Sequence, residues 1–554
     1  MIAPADRAQL RREGPTVGLI VALAGSAMLL LALGWQLTFF QDTWAFLMGR
    51  QPWSAASLLN PHNEHLVVFQ VATEKALVEV FGTGTNHPEM VVMTATLLVS
   101  AALVFVWIGR RVDRWLALMA AVLLLFLGSA WQVLLWPFEI EFTAPIAAGM
   151  GMLLALERED RHGDLLACLL LVVGIGFGSL GLSFAAAAIV EVFLKRRSRG
   201  WGRAYVFVVP LALYLGWYAG WGHDAEHHLT LHNILASPLY VAEGMAAAVG
   251  SLSGLSTAPI VGSGPPEWGR PLLLALVGLA IYRLWRRPAV SLSFWPVAAA
   301  ALSYWVLGAF NFIPGREAAS NRYQYAGGLF VLLIAAELLR GVRLRPRALM
   351  VAGAVVALAV FSNLAQMKDG YDWLKGQTVL TRADTGAIDI ARGTVPPWFG
   401  LTPEIAGTPS LIDVNAADYL PMVREHGSPG YSPRELASAP EVGRRQADIV
   451  LSQALQIGAV VEAGATISDG RGCTRVEPGA AGEVPLAPGR TRIGVDPGPH
   501  ASFSLRRFAE GEYPVVMAGA PGQSVTTLAI PRDRSTRSWI LHVEAAQPVL
   551  VCGR

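Results

Sequence analysis

Acidic and histidine side chains cluster directly after the first apolar block of the chain. Asp42 follows Phe39 and Phe40, and Glu64 and His65 come later in the run P-H-N-E-H-L. A carboxylate held against a membrane surface is partly desolvated and can serve as a general base in catalysis. Asp42 could equally cap the helix that follows it, which is a structural role. The pattern leaves both interpretations of Asp42 open, and Glu64 and His65 are candidate substrate-binding residues.

Two further acidic residues, Glu139 and Glu141, lie in the run W-P-F-E-I-E-F between two apolar blocks. Alternation along an extended chain would direct both carboxylates to one side, whereas at the start of a helix they would diverge. Carboxylates are also favoured at a helix start because they interact well with the helix macrodipole. We therefore treat both as candidates for binding a sugar or an acceptor, with the helix start as the structural alternative.

Arginine and tyrosine residues stand in the run G-R-E-A-A-S-N-R-Y-Q-Y, which opens a later apolar block. Arg316 and Arg322 are suited to binding phosphate, because a guanidinium presents forked hydrogen-bond donors. Pairing with Glu317 or with lipid headgroups is the alternative. Tyr323 is a candidate substrate contact, or else an aromatic residue of the membrane interface.

A polar run from His223 to His232 contains His228 and His232 at the i, i+4 spacing of one helix face, with acidic residues nearby. Such spacing occurs in zinc sites. No further ligand set can be identified, however, and a loop outside the membrane tolerates a polar run of this kind. The sequence therefore allows a divalent metal but requires no cofactor.

The elements that must position these residues are apolar. Of the 554 residues, 53% are hydrophobic and only 15% are charged, whereas about 25% are charged in ordinary soluble domains. The apolar residues fall in blocks of roughly twenty before residue 367, which is the length of a membrane-spanning helix. This composition excludes a soluble enzyme, and we see no basic stripe with interleaved aromatic residues that would indicate nucleic-acid binding. We expect a mainly α polytopic membrane protein.

About eleven spans are predicted, and the Lys and Arg residues of the short loops orient them. The basic loops at 110–114, 158–161, 195–203, 283–287 and 340–347 all fall on the side of the N-terminus, which is then cytoplasmic. The block 164–194 is expected to form two short helices that break at 178–181, and 232–254 to form a surface or re-entrant helix on the outer side. The predicted spans are 16–40, 88–109, 115–135, 142–156, 164–178, 182–194, 203–221, 270–285, 291–311, 322–340 and 346–366.

The remainder of the chain is predicted to lie outside the cytoplasm. After a polytopic domain at 1–366, residues 367–460 mix short helices with Pro and Gly, and 461–554 alternate as the short strands of a β-sandwich. Cys473 and Cys552 are predicted to form a disulfide, which suits an oxidising compartment. The third cysteine, Cys168, lies in an apolar block and is expected to be a packing residue. The sandwich could be a stabilising module or lid, or a glycan-binding module.

These features together resemble the GT-C superfamily of membrane glycosyltransferases. The resemblance rests on Q-D-T-W-A-F-L after the first span, P-H-N-E-H-L in a long first outer loop, about eleven spans and an extracytoplasmic C-terminal domain. Members take sugars from polyprenyl-phosphate donors, and an acidic residue of the first outer loop is their catalytic base. The resemblance implies that Asp42 is this base and that the lipid phosphate lies near an arginine such as Arg322 or Arg316. Members often carry two adjacent acids where this chain has Gln41 and Asp42, so Glu64 is a candidate for the second carboxylate.

The sequence therefore predicts an inverting membrane glycosyltransferase in a bacterial cytoplasmic membrane. Its partners would be a polyprenyl-phosphate-linked sugar donor, an acceptor that is an envelope glycan, lipid or protein, and membrane lipids, but no nucleic acid. The alternative is a non-enzymatic envelope protein that is anchored by its membrane part and binds a glycan or protein through its C-terminal domain. A transporter is disfavoured because few ionisable residues lie within the predicted spans and no internal repeat is evident.

Overall fold

The computed structural model describes residues 4–50, 53–256, 267–342, 344–401, 414–478, 482–495, 501–520 and 523–553. The chain forms helices as far as Ala454 and strands from Ala459 onward. In chain order the helices are α1 (Pro4–Gly34), α2 (Asp42–Gly49), α3 (Ala55–Leu59), α4 (Val68–Phe81), α5 (His87–Gly109), α6 (Arg114–Leu125), α7 (Trp131–Leu135), α8 (Ile140–Leu156), α9 (Arg161–Phe177), α10 (Leu180–Leu194), α11 (Arg196–Arg199), α12 (Tyr205–Trp221), α13 (Leu231–Ser253), α14 (Gly269–Arg286), α15 (Phe294–Phe310), α16 (Asn321–Leu338), α17 (Pro346–Ile390), α18 (Ala416–His426), α19 (Pro433–Ser438) and α20 (Glu441–Ala454).

Two compact units divide the chain. The first unit comprises residues 1–36, 52–76 and 87–374, and the second comprises 37–51, 77–86 and 375–554. The sequence had suggested a boundary at 366, with a second one at 460. The second unit also includes two short segments from the region after the first apolar block, and one of them contains Asp42.

The first unit is an assembly of apolar helices. Among the described residues, seven helical stretches are long and apolar enough to cross a membrane, and Leu180–Leu194 and Phe294–Phe310 are shorter apolar helices. The mainly helical, multi-pass character predicted from hydropathy is therefore confirmed at this level. The seven stretches are Glu13–Gly34, His87–Gly109, Arg114–Leu135, Pro137–Leu156, Trp201–Asp224, Leu231–Ser253 and Pro346–Ile390.

Side chains from the five basic loops meet at one end of the first unit, which we call the ionic end. Buried Arg111 donates to Glu337 and to Glu157, each at 2.6 Å. Arg340 also binds Glu337. In the same region, Lys195 pairs with Glu159 and Glu191, Arg203 pairs with Asp164, and Arg283 donates to the Leu338 carbonyl. The loops that the sequence assigned to one side of a membrane are thus joined by ion pairs and hydrogen bonds.

The predicted break in the block 164–194 is a hairpin of α9 and α10. The chain turns at Gly178 and Ser179, and the two helices then approach closely. A Cβ atom on Gly181 would lie 2.4 Å from the backbone of Gly174. Glycine is required at this approach because any side chain would overlap the neighbouring helix.

Helix α13 covers the segment for which the sequence predicts a surface or re-entrant helix. Its Asn233 side chain donates to the carbonyl of Phe310, at the end of α15. At its other end, the Ser251 carbonyl accepts from Asn363, which lies about 25 Å from the start of α17. Both ends therefore lie away from the ionic end, although α13 has the length and composition of a membrane-spanning helix.

The second unit contains two antiparallel sheets. The strand order is β1-β7-β4-β9-β2 in one sheet and β3-β8-β5-β6 in the other. Inward-facing residues such as Ile493, Phe503 and Leu541 share one hydrophobic core with Trp44 of α2 and Tyr419 of α18. The strands are β1 (Ala459–Ala463), β2 (Cys473–Val476), β3 (Gly482–Leu486), β4 (Gly489–Val495), β5 (Ala501–Arg506), β6 (Val515–Ala520), β7 (Ser524–Ile530), β8 (Trp539–Glu544) and β9 (Val549–Gly553).

The predicted disulfide between Cys473 and Cys552 is present. The two residues lie directly opposite each other on β2 and β9. The bond ties the last strand, β9, to β2, the second strand of the β domain. It is consistent with an extracytoplasmic location for this domain. Cys168 is free and buried in the first unit, as a packing residue should be.

Candidate functional site

A pocket in the first unit gathers several of the predicted site residues, and we call it the Glu64 pocket. It encloses about 750 Å³ of empty space, part of it open to the surroundings. The described residues that line it are Glu64, His65, Glu141, Phe142, Gly178, Ser179, Leu180, Ser183, Tyr240, Tyr304, Trp305, Leu307, Gly308, Asn311, Arg316, Ala318 and Tyr323.

The Glu64 pocket lies at the opposite end of the unit from the ionic end. The first turns of α8 and α16 lie beside the pocket, where Glu141 and Tyr323 line it. Their last turns lie beside the ionic end, where Glu157 directly follows α8 and Glu337 is in the last turn of α16. Each helix is 17 or 18 residues long, which corresponds to about 25 Å. The two ends are thus separated by a distance close to the hydrocarbon thickness of a bilayer, about 30 Å.

A tight turn presents Glu64 and His65 to the pocket. The backbones of His62 and His65 exchange two hydrogen bonds of 3.1 and 2.9 Å. Asn63 adopts a left-handed conformation with φ of 53°, which asparagine tolerates better than most residues. The Asn63 carbonyl accepts from the backbone N–H of Glu226 at 3.0 Å, which anchors the turn. The P-H-N-E-H run therefore encodes a rigid turn.

Glu64 and Arg316 form the central ion pair of the pocket. Nη1 of Arg316 donates to both carboxylate oxygens of Glu64, at 2.8 and 2.7 Å, and Nη2 lies 3.3 Å from the Glu226 carboxylate. Burial raises the pKa of Glu64, but electrostatic interactions with His65 and Arg316 and the Arg316 hydrogen bonds outweigh burial and hold this pKa below its ordinary value. Glu64 is therefore an ionised hydrogen-bond acceptor at neutral pH.

His65 links the turn to the α9–α10 hairpin. Its Nδ1 lies 2.6 Å from the Ser179 hydroxyl, and its Nε2 lies 3.4 Å from the Glu64 carboxylate. Burial lowers the pKa of His65 to about 4, so the ring is neutral at pH 7. The tautomer that fits these neighbours carries its proton on Nε2, towards Glu64. Its Nδ1 then accepts a hydrogen bond from the Ser179 hydroxyl.

Aromatic side chains form the other wall of the pocket. The Tyr240 hydroxyl donates to the Arg316 carbonyl at 3.1 Å, and the Tyr304 hydroxyl donates to the Tyr323 carbonyl at 2.8 Å. Trp305 adds a further apolar surface. The pocket thus combines carboxylates with flat apolar faces, which suits a ligand with hydroxyl groups on a partly apolar frame.

The predicted residues that do not appear in the pocket lining have different surroundings. Glu139 is buried in a 3-10 turn just before α8, whereas Glu141 is in the first turn of α8 and lines the pocket. The two carboxylates therefore diverge, as expected for a helix start. The guanidinium of Arg322, the second residue of α16, lies 5.3 Å from the ring centre of Tyr323.

Asp42 belongs to the second compact unit, whereas the seven predicted substrate-binding residues belong to the first. Asp42 is the first residue of α2, and the N-cap position is occupied by Gln41, whose side chain makes no capping bond. Asp42 is half-buried, and the neighbouring Trp44 is fully buried in the core of that unit. A carboxylate at this position of a helix is also favoured by the macrodipole.

Sequence reasoning missed Ser179, Tyr240 and Tyr304. Ser179 carried a usable signal, because it is the one hydroxyl residue in the predicted break at 178–181. The tyrosines lie within apolar helices, where they could not be distinguished from packing residues. Among the described residues, no group of three His, Cys, Asp or Glu side chains could hold a metal ion. His228 instead contacts Glu226 at 3.0 Å.

The fold and the pocket define a mainly helical protein with a disulfide-bonded, two-sheet β domain and, in the part of the chain that the structure describes, seven candidate membrane spans. Comparison of the chain with known protein families and with curated proteins found no match.

Proposed function

We propose that this chain is a GT-C-like membrane glycosyltransferase. It moves a sugar from a polyprenyl-phosphate donor to a hydroxyl group of an envelope glycan, lipid or protein at the outer face of a bacterial cytoplasmic membrane. In this proposal all eleven predicted segments cross the membrane, the ionic end faces the cytoplasm and the β domain is extracytoplasmic.

The observation that carries the proposal is the meeting of Glu64, Glu141 and Arg316 with aromatic side chains in one pocket, about 25 Å from the ionic end. The loops at the ionic end are rich in Lys and Arg, which indicates that this end is cytoplasmic. The pocket then lies at the outer surface. A donor with its sugar and phosphate at the interface and its prenyl chain in the bilayer would reach such a pocket. In this proposal Arg316 lies near the phosphate of the donor, and the carboxylates of Glu64 and Glu141 accept hydrogen bonds from the sugar hydroxyls.

The proposed reaction is a single displacement with inversion at the anomeric carbon. Asp42 takes the proton from the acceptor hydroxyl, and the acceptor oxygen attacks the anomeric carbon. The bond from that carbon to the phosphate oxygen breaks, and the polyprenyl phosphate leaves with the electron pair. Arg322 stabilises the charge that develops on the phosphate. Arg316 holds Glu64 in place to accept hydrogen bonds from sugar hydroxyls, and it adds positive charge near the phosphate.

The proposal is tested with purified protein in lipid and labelled polyprenyl-phosphate sugars. We expect release of the sugar in the presence of an acceptor. Arg322→Ala should raise the KM for the donor with a smaller effect on kcat, so that excess donor partly restores the rate. Arg158→Ala, which removes an exposed arginine at the ionic end, is the matched control and should behave as wild type. Glycan binding without turnover would contradict the proposal and support the non-enzymatic alternative.

A further inference from the structure

A second pocket lies at the ionic end, on the opposite side of the first unit from the Glu64 pocket. It has about 910 Å³ of empty space, part of it open to the surroundings, and we call it the Arg340 pocket. It lies between the ends of α5, α8, α10 and α16 and the start of α15. Its described lining residues are Trp107, Arg110, Arg111, Leu153, Leu156, Glu157, Glu191, Lys195, Ser291, Leu292, Ser293, Pro296, Val297 and Arg340.

The side chains that line the Arg340 pocket carry a net charge of +2, from four cations and two carboxylates. Two further carboxylates lie outside the lining and pair with two of these cations: Glu337 with Arg340, and Glu159 with Lys195. Buried Arg111 has a structural role, because it is hydrogen-bonded to Glu337, Glu157 and the Trp107 carbonyl. Arg110 is different: its side chain is 52% exposed and contacts Glu157 through one Nη atom. It therefore has further N–H groups that can bind an anion.

The lining of the Arg340 pocket contains both hydrogen-bonding groups and hydrocarbon side chains. Arg340 donates to the Ser293 hydroxyl at 2.7 Å, and Ser291 and Ser293 are hydrogen-bonded to each other at 2.7 Å. Leucine, proline and valine side chains of α8 and α15 form the remaining wall. A ligand that combines an anionic group with hydrocarbon matches this lining. Basic pockets between membrane helices bind the headgroups of anionic phospholipids in this way.

We propose that the Arg340 pocket binds the phosphate-bearing headgroup of an anionic phospholipid. Arg110, Lys195 and Arg340 provide the positive charge, the two serine hydroxyls lie beside the phosphate, and the apolar wall holds the first part of an acyl chain. The site is independent of the proposed transferase reaction. A free phosphate ion has the same headgroup chemistry, so the test includes it as a separate ligand.

The test measures the apparent dissociation constant from the rise in Tm of the full chain in nonionic detergent. Phosphatidylglycerol, phosphatidylcholine and inorganic phosphate are added separately. Phosphatidylglycerol should bind tightest, and each of Arg110→Gln and Lys195→Gln should weaken its binding about fivefold. Arg111 is left intact, because it is buried and pairs with both Glu337 and Glu157, so its removal would disturb the ionic end as a whole.

Two further variants separate an anion site from a general loss of structure. Glu157→Gln removes a negative charge from the lining and should tighten phosphatidylglycerol binding, although it weakens the local ion pairs. Arg158→Gln removes an exposed arginine that does not line the pocket and should leave binding unchanged. A role in folding alone would give Glu157→Gln and Arg110→Gln effects of the same sign.

The outcomes decide between the sources of the phosphate. The expected pattern with phosphatidylglycerol alone supports a lipid site. The same pattern with inorganic phosphate supports a phosphate site but assigns it to a soluble ligand. Absence of any Tm rise, or an equal response of Arg158→Gln and Arg110→Gln, overturns the proposal.

Discussion

Arg316 organises the Glu64 pocket, because it holds carboxylates from two distant parts of the chain. Its guanidinium binds Glu64 through two short contacts and also approaches Glu226. From the sequence we had considered pairing with Glu317, which is adjacent in the chain. The actual partner is 252 positions away. Local spacing cannot indicate such a contact, because it depends on how the helices pack.

We predict that Arg316→Ala lowers the free energy of unfolding by about 2 kcal/mol, because it leaves Glu64 as a largely buried carboxylate without its countercharge. The side chains of Arg316 and Glu64 are only 14% and 12% exposed. The matched control is Arg270→Ala, since Arg270 pairs with Glu243 but is 54% exposed. Arg270→Ala should lower the free energy of unfolding by less than about 1 kcal/mol. Unfolding in detergent measures both values, and equal losses would contradict a structural role for the Glu64 pair.

His65 should make stability depend on pH in a defined window. Its pKa is about 4 in the folded protein, below the ordinary value of 6.5. Between these values the unfolded chain binds more protons, so stability should fall as the pH drops from about 6.5 towards 4. The interval from 6.5 to 5 lies above the lowered pKa of Glu64. Asp448, whose pKa burial raises to about 6, contributes a slope of the opposite sign there. The contribution of His65 is therefore the difference between wild type and His65→Gln.

The measurement for His65 is Tm as a function of pH over that interval. His65→Gln should reduce the fall in Tm between pH 6.5 and pH 5. His223→Gln, which removes an exposed histidine, should leave the dependence of Tm on pH unchanged. An unaltered slope in His65→Gln would show that His65 is not held in its neutral form.

At the scale of elements, hydropathy and glycine placement carry most of the information. The break at Gly178 and the hairpin that it creates follow from the apolar block 164–194, which is too long for one helix and has basic residues on both flanks. The alternating β strands and the disulfide were equally visible in the sequence. The sequence did not indicate that α2 belongs to the second unit. The hydropathy of Trp44 shows that it should be buried but not in which core.

The close approach of α9 and α10 gives a prediction for Gly181→Ala. The new Cβ atom would lie 2.4 Å from the backbone of Gly174 and Ile175, so the helices would have to separate. We expect a loss of about 2 kcal/mol in the free energy of unfolding. Gly216→Ala in α12 meets no atom within 4 Å and should be neutral or slightly stabilising. If the two variants were equally stable, the hairpin would not be packed as described.

At the scale of the whole molecule, the proposed orientation puts the ionic end in the cytoplasm and the β domain outside. In intact cells, a cysteine at exposed Gly400 should react with a membrane-impermeant maleimide. A cysteine at exposed Ser198, in a basic loop, should react only after the cells are opened. The native cysteines do not interfere, because Cys168 is buried and the other two form the disulfide. The reverse pattern of labelling would contradict the orientation.

The turnover of Asp42→Asn decides whether the chain transfers sugar with Asp42 as its base. Sugar transfer from a polyprenyl-phosphate donor is measured with protein in lipid, alongside Asp113→Asn, which changes the carboxylate that caps α6. Asn is nearly the same shape as Asp and is tolerated at helix starts, so both variants should fold. We predict that Asp42→Asn lowers kcat about 10²–10⁴-fold and that Asp113→Asn remains near wild type. Near-normal turnover by Asp42→Asn would contradict the assignment of Asp42 as the base, and absence of turnover by the wild-type protein would contradict the proposed transferase activity.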